Sequence, residues 1–182
     1  RQSRSAGFTG MEKGRRFPES AAEMLPILKQ ADVTLCGGWF SGTLVDDDLA
    51  ANKDRIQPMI DLFKAVNAPC IVYGEVGRSI QGDRTKPLAT KPTLSDDEMK
   101  AYARKLTEFG EWCAGQGMPL SYHHHMAAVV ETEPELDALL GDDIILYSAR
   151  LPRHTGLTLK QRNELYLPAY ADALDHGRKD GS

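Results

Sequence analysis

Short apolar runs alternate along the chain with longer stretches in which apolar residues recur every three or four positions. The short runs are bounded by glycine, proline and polar residues, which predicts buried strands at Phe8–Glu12, Val33–Phe40, Pro69–Glu75, Met118–His123 and Asp143–Tyr147. The longer stretches predict amphipathic helices over Pro18–Gln30, from Asp46 to about Asn67, from Ser95 to about Gly115, and over Glu133–Leu140. Strands that alternate with helices are typical of βαβ units, so we expect an α/β fold with a parallel sheet.

Several residues mark where these elements begin and end. The acidic run Asp46–Asp48 opens the second helix, because negative charge favours a helix N-terminus. Ser95 and Glu98 form a capping box at the start of the third helix. Pro26 lies inside the first helical stripe, and we expect it to shorten or kink that helix. The glycine pair before Trp39 is expected to lead the second strand into a loop.

The composition is that of one ordinary globular domain. The chain has 182 residues, of which 41% are hydrophobic and 26% are charged. Its net charge of −4 supplies no basic excess for the phosphates of a nucleic acid. No apolar run approaches the ~20 residues of a membrane span, so no membrane partner is expected. The basic, polar N-terminal residues do not predict a secretory signal, and the three cysteines contain no CxxC pair, so we expect reduced thiols and a cytoplasmic location.

The carboxyl ends of the predicted strands carry the residues that could perform chemistry. His123, His124 and His125 follow a strand directly. Residues i and i+2 of a strand face the same way, so His123 and His125 can reach one pocket while His124 points elsewhere. Imidazoles are common metal ligands and are active near neutral pH. The alternative is a cluster that is hydrogen-bonded for structural reasons or faces solvent.

Charged residues end two further predicted strands. Glu75 could act as a general base, as a hydrogen-bond acceptor for substrate or as a metal ligand, or it could cap a helix or pair with Arg78. Lys13 beside Glu12 could stabilise a developing enolate, and the alternative for these two is a solvated ion pair.

Trp39 and Glu131 complete the candidates. The indole face of Trp39 suits the apolar face of a sugar-like ring, although such a tryptophan can equally pack at a barrel mouth. Glu131 lies eight residues after His123 and heads a short helix, where it could bind a metal or simply interact with the helix dipole.

Several segments, taken in this order, resemble the inosose dehydratase family of myo-inositol catabolism. No one segment is specific, but their combination is. They are Gly7–Gly14, Gly38–Gly42, Val72–Glu75, Ser79–Gly82, Tyr122–Met126 and Val129–Thr132. The resemblance extends from about Ala6 to Tyr147, which is most of the chain.

This resemblance implies a xylose-isomerase-like (β/α)8 TIM barrel, of which this chain would supply the first part only, over residues 1–147. It implies a divalent metal, manganese or cobalt with magnesium as a further candidate. The implied substrate is a small cyclic polyol ketone, scyllo-inosose (2-keto-myo-inositol), which would be dehydrated to a trihydroxycyclohexane dione. The site residues it implies are His123 and Glu131 for the metal, Glu75, His125 and Lys13 for catalysis, and Glu12, Trp39, Tyr73 and His123 for substrate.

The chain departs from the family pattern in two places. Ala127-Ala128 stands where the family has Gly-Thr, which should stiffen the turn after the histidines. After Tyr147 the family continues with an Asp-Thr-Gly-His-type motif and supplies later ligands, and residues 148–182 contain neither. A complete barrel takes about 250 residues. We therefore expect a fragment whose residues 148–182 form a diverged tail with at most a short helix, and whose own activity is weak or absent.

Two other functions remain open at this point. A sugar isomerase or epimerase of the same superfamily would move a proton and retain the hydroxyl group. A barrel fragment without catalytic activity is the second alternative. An incomplete sheet also exposes an edge and an apolar face, which favours association into homo-oligomers.

Overall fold

The computed structural model describes residues 2–140, in which helices and strands alternate. The predicted strand at 143–147 and the predicted tail over 148–182 lie outside the described residues. The strands are β1 (Gly10–Lys13), β2 (Thr34–Gly42), β3 (Ile71–Glu75) and β4 (Leu120–Tyr122). The helices are α1 (Gln2–Ser5), α2 (Ala21–Ala31), α3 (Leu49–Ala65), α4 (Asp96–Gly115) and α5 (Glu133–Leu140), with a 3-10 turn at Leu88–Thr90.

The four strands form one parallel sheet in the order β1-β2-β3-β4. Each consecutive pair is connected through a helix, and right-handed crossovers of this kind place the connecting helices on the same side of the sheet. We call this side the helix face and the opposite side the open face. The arrangement is that of the first units of a (β/α)8 barrel, which confirms the predicted fold class.

The hydrophobic core lies between the sheet and the helices. Its fully buried members come from every helix that crosses between strands and from the middle of the sheet. They include Met24, Leu35, Ile56, Ile60, Phe63, Ile71, Tyr73, Phe109 and Cys113. Ala127 to Val130, in the loop that follows the histidines, are also buried, and Val129 and Val130 belong to this core.

The helix starts follow the predicted capping chemistry. Ser95 and Glu98 form both hydrogen bonds of the capping box at α4. The side chain of Asp48 accepts a hydrogen bond of 2.7 Å from the backbone N–H of Ala51 at the start of α3. Within residues 2–140, no helix combines the length and the apolar character that a membrane crossing requires.

Two element ends expected from the sequence are not found in the structure. The helix α2 is not shortened at Pro26, and it continues to Ala31. Pro26 is exposed, so the carbonyl group that loses its intrahelical partner there can bond to water. The strand β2 likewise continues through its glycine pair to Gly42. A Cβ atom at Gly38 would lie 2.8 Å from Cζ of Phe63, so the glycine leaves space for a helix rather than ending the strand.

Aromatic rings lie across glycines of neighbouring strands on both faces of the sheet. On the open face, the indole of Trp39 covers Gly74, where a Cβ atom would lie 2.0 Å from Cη2 of the indole. On the helix face, the phenol of Tyr73 covers Gly42, where a Cβ atom would lie 2.0 Å from Cζ of the phenol. These contacts establish which side chains of β2 and β3 share a face.

We expect Gly42→Ala to lower the free energy of unfolding by about 1–3 kcal/mol, because the ring of Tyr73 is buried and cannot move away from the added methyl group. Gly110→Ala is the matched control. Gly110 lies inside α4 with open space around its Cα, so alanine should raise stability by about 0.5–1 kcal/mol. Urea unfolding of both variants measures the two changes, and a similar stability of Gly42→Ala and the parent chain would contradict the packing described above.

Candidate functional site

Three aromatic side chains meet on the open face at the carboxyl ends of β2 and β4. The ring centroids of Trp39 and His123 are 5.3 Å apart, and those of Trp39 and His125 are 6.1 Å apart. The two imidazoles lie 5.8 Å from each other. The backbone N–H of His123 donates to the carbonyl of Tyr73, which extends the ladder of β4 by one residue. His123 and His125 therefore lie at the same place, as predicted, although both come after the last residue of β4.

Trp39 forms a fixed wall of this cluster. Its Nε1–H donates to Oγ of Ser41 at 2.9 Å, and the absence of a side chain at Gly74 allows the indole to lie flat against β3. The side chain is 36% exposed, so part of the indole remains open to a ligand. An aromatic surface of this kind can pack against the C–H face of a cyclic polyol.

The two imidazoles differ in their hydrogen bonds. Nδ1 of His125 lies 3.0 Å from the carbonyl oxygen of Met126, and Nε2 lies 3.1 Å from Nε2 of Gln81. Within residues 2–140, the ring nitrogens of His123 have no hydrogen-bond partner, and that side chain is exposed. His124 is also exposed, with its ring stacked 6.3 Å from that of His123.

The loop after the histidines is tied to the loop after β3. The carbonyl of Ala127 accepts from the backbone N–H of Ile80 at 3.1 Å and from Oγ of Ser79 at 3.2 Å. Ala127 has a φ of +66°, in the left-handed region that costs an alanine about 1 kcal/mol or more. The turn is therefore one that a glycine would form without strain.

Glu131 belongs to the same loop. Its Oε2 accepts from the backbone N–H of Ala127 at 3.1 Å, which closes the turn. Its own N–H donates to Glu135, whose carboxylate also pairs with Lys91. Burial acts to raise the pKa of Glu135, but hydrogen bonds from Lys91 and from the backbone of 131 and 132 outweigh it and lower this pKa to about 2. The structure thus places Glu131 in a loop-closing role, and its role as a metal ligand stays a prediction.

Glu75 lies on the helix face, away from the imidazoles. Its carboxylate accepts from the hydroxyl of Tyr73 at 2.8 Å and from the backbone N–H groups of Gly77 at 2.7 Å and Val45 at 3.4 Å. The residue is only 3% exposed, and this burial raises its pKa to about 7. Arg78 is not its partner, since the guanidinium of Arg78 donates to other carboxylates, those of Asp46 and Glu98.

The pair at the end of β1 is divided between the two faces. Lys13 lies on the helix face. A Cβ atom added at Gly38 would point toward Phe63 of α3 and would lie 2.9 Å from the Cβ atom of Lys13. Its Nζ donates to Glu19 at 2.6 Å, and its side chain is 10% exposed. Alternation places Glu12 on the open face, where it is exposed. The structure therefore groups Glu12 with Trp39 and the imidazoles by face, and it separates Lys13, Tyr73 and Glu75 from them.

Sequence reasoning did not single out Gln81 as a site residue. Its segment was part of the family resemblance, but it lies 44 positions before His125. Only the three-dimensional structure shows that the two side chains meet.

The described residues do not by themselves fit a complete metal site. Within residues 2–140, no group of three or more His, Cys, Asp and Glu side chains is placed to hold a metal ion. Catalytic zinc sites, for comparison, usually have three protein ligands. Both nitrogens of His125 have contacts, and the carboxylate of Glu131 has an N–H partner. The described residues therefore lack the set of donors that a metal-assisted step requires.

Curated bacterial proteins are similar to this chain in sequence. The rhizopine catabolism protein MocC of Rhizobium meliloti is 34% identical over 137 residues, which are 75% of this chain and 42% of that protein. An inosose dehydratase of Mesomycoplasma hyopneumoniae is 33% identical over 135 residues, which are 74% of this chain and 45% of that protein. An inosose dehydratase of Clostridium perfringens is 34% identical over 145 residues, which are 78% of this chain and 49% of that protein. No family model matches the chain.

The chain spans about half the length of the curated relatives it matches. In each of these comparisons, about three quarters of this chain is aligned with the relative.

We expect Glu75→Gln to weaken the pH dependence of stability between pH 4.5 and 7. The folded protein retains a proton on Glu75 up to about pH 7, whereas the unfolded chain releases it near pH 4.5. The free energy of unfolding therefore falls as pH rises through this window, by at most about 1.4 kcal/mol per pH unit. Glutamine has no such titration and can still accept the hydrogen bonds from Gly77 and Tyr73.

Urea unfolding of the parent chain and of Glu75→Gln at pH 5, 6 and 7.5 measures this effect. Parallel stability curves for the two proteins would show that Glu75 has an ordinary pKa in the folded state. If turnover were lost without any change in the stability curves, the predicted catalytic role of Glu75 would be supported instead.

Proposed function

Because the chain belongs to the inosose dehydratase-like family, we propose that it acts as a hydro-lyase of inositol catabolism. The proposed reaction is the dehydration of scyllo-inosose, a cyclic polyol ketone, to a trihydroxycyclohexane dione. The observation that carries the proposal is the cluster of Trp39, His123 and His125 at the carboxyl ends of parallel strands.

The chemistry of this reaction sets three requirements. A base must take the proton from the carbon next to the ketone, and an acid must protonate the hydroxyl group on the following carbon as it leaves as water. The enol that remains then tautomerises to the second carbonyl group. The negative charge that develops on the ketone oxygen must also be stabilised. No oxidant or reductant is consumed.

The open-face cluster supplies the first two requirements. An imidazole can accept a proton in one step and donate one in the next, and two imidazoles lie 5.8 Å apart. The indole of Trp39 lies beside both of them, where it can orient the C–H face of a six-membered ring. Glu12 shares this face and is exposed, so it is a candidate acceptor for substrate hydroxyl groups.

A divalent metal is part of the proposal, with manganese or cobalt before magnesium. A bound metal ion would supply a Lewis acid for the ketone oxygen. The metal-ligand roles of His123 and Glu131 stay predictions, and a metal ion bound to His123 would take the lone pair with which that imidazole could accept a proton.

Three further elements of the proposal come from the sequence. The partner is a small cyclic polyol ketone, with association into homo-oligomers as an additional expectation. A cytoplasmic location agrees with Cys36, Cys70 and Cys113, none of which forms a disulfide within the described residues. No observation on the described residues favours an isomerase or a site without activity over a dehydratase, so both are outcomes of the experiment below.

We expect His123→Ala to lower turnover of scyllo-inosose by about 100-fold or more, because acid–base groups contribute about 10²–10⁴-fold to such steps. His124→Ala is the matched control and should retain most of the activity, since His124 does not contact Trp39. NMR spectra of the reaction mixture, recorded with added manganese or cobalt, measure loss of the ketose and formation of the dione.

A panel of open-chain and cyclic ketoses separates the alternatives. Isomerised or epimerised products without loss of water would favour the isomerase. If the folded chain processed no ketose at all, the dehydratase proposal would fail for this chain. Equal turnover by His123→Ala and the parent would show that His123 takes no part in the reaction.

Manganese binding tests the alternative in which His123 is a metal ligand instead of the proton-exchanging residue. In that case His123→Ala would lower the amount of manganese that the purified chain retains, whereas His124→Ala would retain the amount bound by the parent. Isothermal titration with MnCl2 and elemental analysis measure this directly and need no substrate. Equal manganese binding by all three proteins would exclude His123 as a ligand.

A further inference from the structure

We infer that Gln81 is a positioning residue that holds His125 as its Nδ1–H tautomer, which leaves His123 as the imidazole that exchanges protons with the substrate. The second half of this statement rests on the proposed function. The first half rests only on hydrogen-bond geometry. The inference also changes the roles expected from the sequence, in which His125 is one of the catalytic residues and His123 is a substrate-binding residue and metal ligand.

The carbonyl of Met126 determines the tautomer. Its oxygen lies 3.0 Å from Nδ1 of His125 and can only accept a hydrogen bond, so Nδ1 must carry the proton. In a neutral imidazole the other nitrogen, Nε2, is then an acceptor.

Gln81 supplies the matching donor. Nε2 of its side-chain amide lies 3.1 Å from Nε2 of His125 and can donate to that lone pair. Both nitrogens of His125 are thereby occupied. The ring has no free lone pair with which to accept a substrate proton or to bind a metal ion while this contact is present.

The loop that carries Gln81 is fixed to the loop that carries His125. The backbone N–H of Gln81 donates to Oγ of Ser79 at 3.3 Å, and this hydroxyl donates to the carbonyl of Ala127 at 3.2 Å. The N–H of Ile80 donates to the same carbonyl at 3.1 Å. The distance between Gln81 and the imidazole is therefore set by hydrogen bonds on both sides of the contact.

His123 has the complementary properties. Its ring lies edge-on to Trp39 at 5.3 Å with an interplanar angle of 74°, and within the described residues its nitrogens have no partner. Trp39 thus restricts the position of this ring without occupying its lone pair. A free lone pair beside a surface for the substrate ring is what a general base requires.

The tautomer is measured by NMR of the full 182-residue chain labelled with 15N in its histidines. We expect the parent protein to show His125 as the Nδ1–H tautomer. Gln81→Leu removes the donor at similar size and should produce a population of the Nε2–H tautomer. Gln81→Glu replaces the amide by an acceptor and should bring a proton onto Nε2 as well.

Arg84→Gln is the matched control, because Arg84 is an exposed residue of the same loop. It should leave the spectrum of His125 unchanged. A parent spectrum with Nε2–H at His125, or identical His125 signals in the parent and in both Gln81 variants, would overturn the inference. Circular dichroism confirms that the exposed substitutions leave the fold intact.

Turnover tests the second half separately. His125→Asn retains an N–H at the position of Nδ1, and we expect it to lower turnover by about tenfold or less, against about 100-fold or more for His123→Ala. The reverse ranking would overturn the assignment of His123 as the proton-exchanging residue. If the chain shows no turnover while the tautomer results are as expected, the proposed function fails and the role of Gln81 stands.

Discussion

The packing of aromatic rings against glycines of the next strand is the constraint on which both sides of the sheet depend. Without a side chain at Gly42, Tyr73 can lie beneath β2 and meet Phe109 of α4 edge-on. Without one at Gly74, Trp39 can lie across β3 on the opposite face. One contact completes the core and the other forms the wall of the candidate site. A methyl group at either position would displace a large ring from a place that no other side chain fills.

Buried carboxylates and carbonyl groups then fix the loops at the strand ends. Glu75 accepts N–H groups from the loops after β2 and β3, and Ala127 accepts from the loop after β3. A buried N–H group without a partner costs about 1–3 kcal/mol, so each of these contacts opposes movement of the loop it holds. The carboxylate of Glu75 is itself expensive to bury, which is why its pKa rises although hydrogen bonds act to lower it. The loop after β3 thus connects the buried carboxylate of Glu75 with the loop that carries the imidazoles.

The order of elements could be predicted from the sequence because periodicity and capping are local properties. The start of α4 at Ser95 and the pairing of His123 with His125 on one face both follow from spacing alone. The division of the strand-end residues between two faces could not be predicted, because alternation shows that Tyr73 and Glu75 share a face but not which face the helices cover. Glycines within an apolar run predict the end of a strand, whereas in this structure Gly38 and Gly74 lie within strands and make room for the rings of Phe63 and Trp39. The contact between Gln81 and His125 joins loops 44 residues apart, and no local pattern carries that information.

For the proposed elimination, two neighbouring imidazoles of which only one has a free lone pair are better suited than two identical ones. If both rings could bind and release protons, a proton abstracted from the substrate could pass between them and the positions of acid and base would not be defined. The contacts with Gln81 and Met126 occupy both ring nitrogens of His125, so that only His123 would exchange protons in the proposed reaction. His125 then forms part of the fixed wall together with Trp39. His123 keeps its lone pair next to that wall. For the proposed dehydration, specificity for a cyclic substrate would then arise from the rigid surfaces of Trp39 and His125. The proton transfers would depend on His123, whose ring nitrogens have no hydrogen-bond partner within residues 2–140.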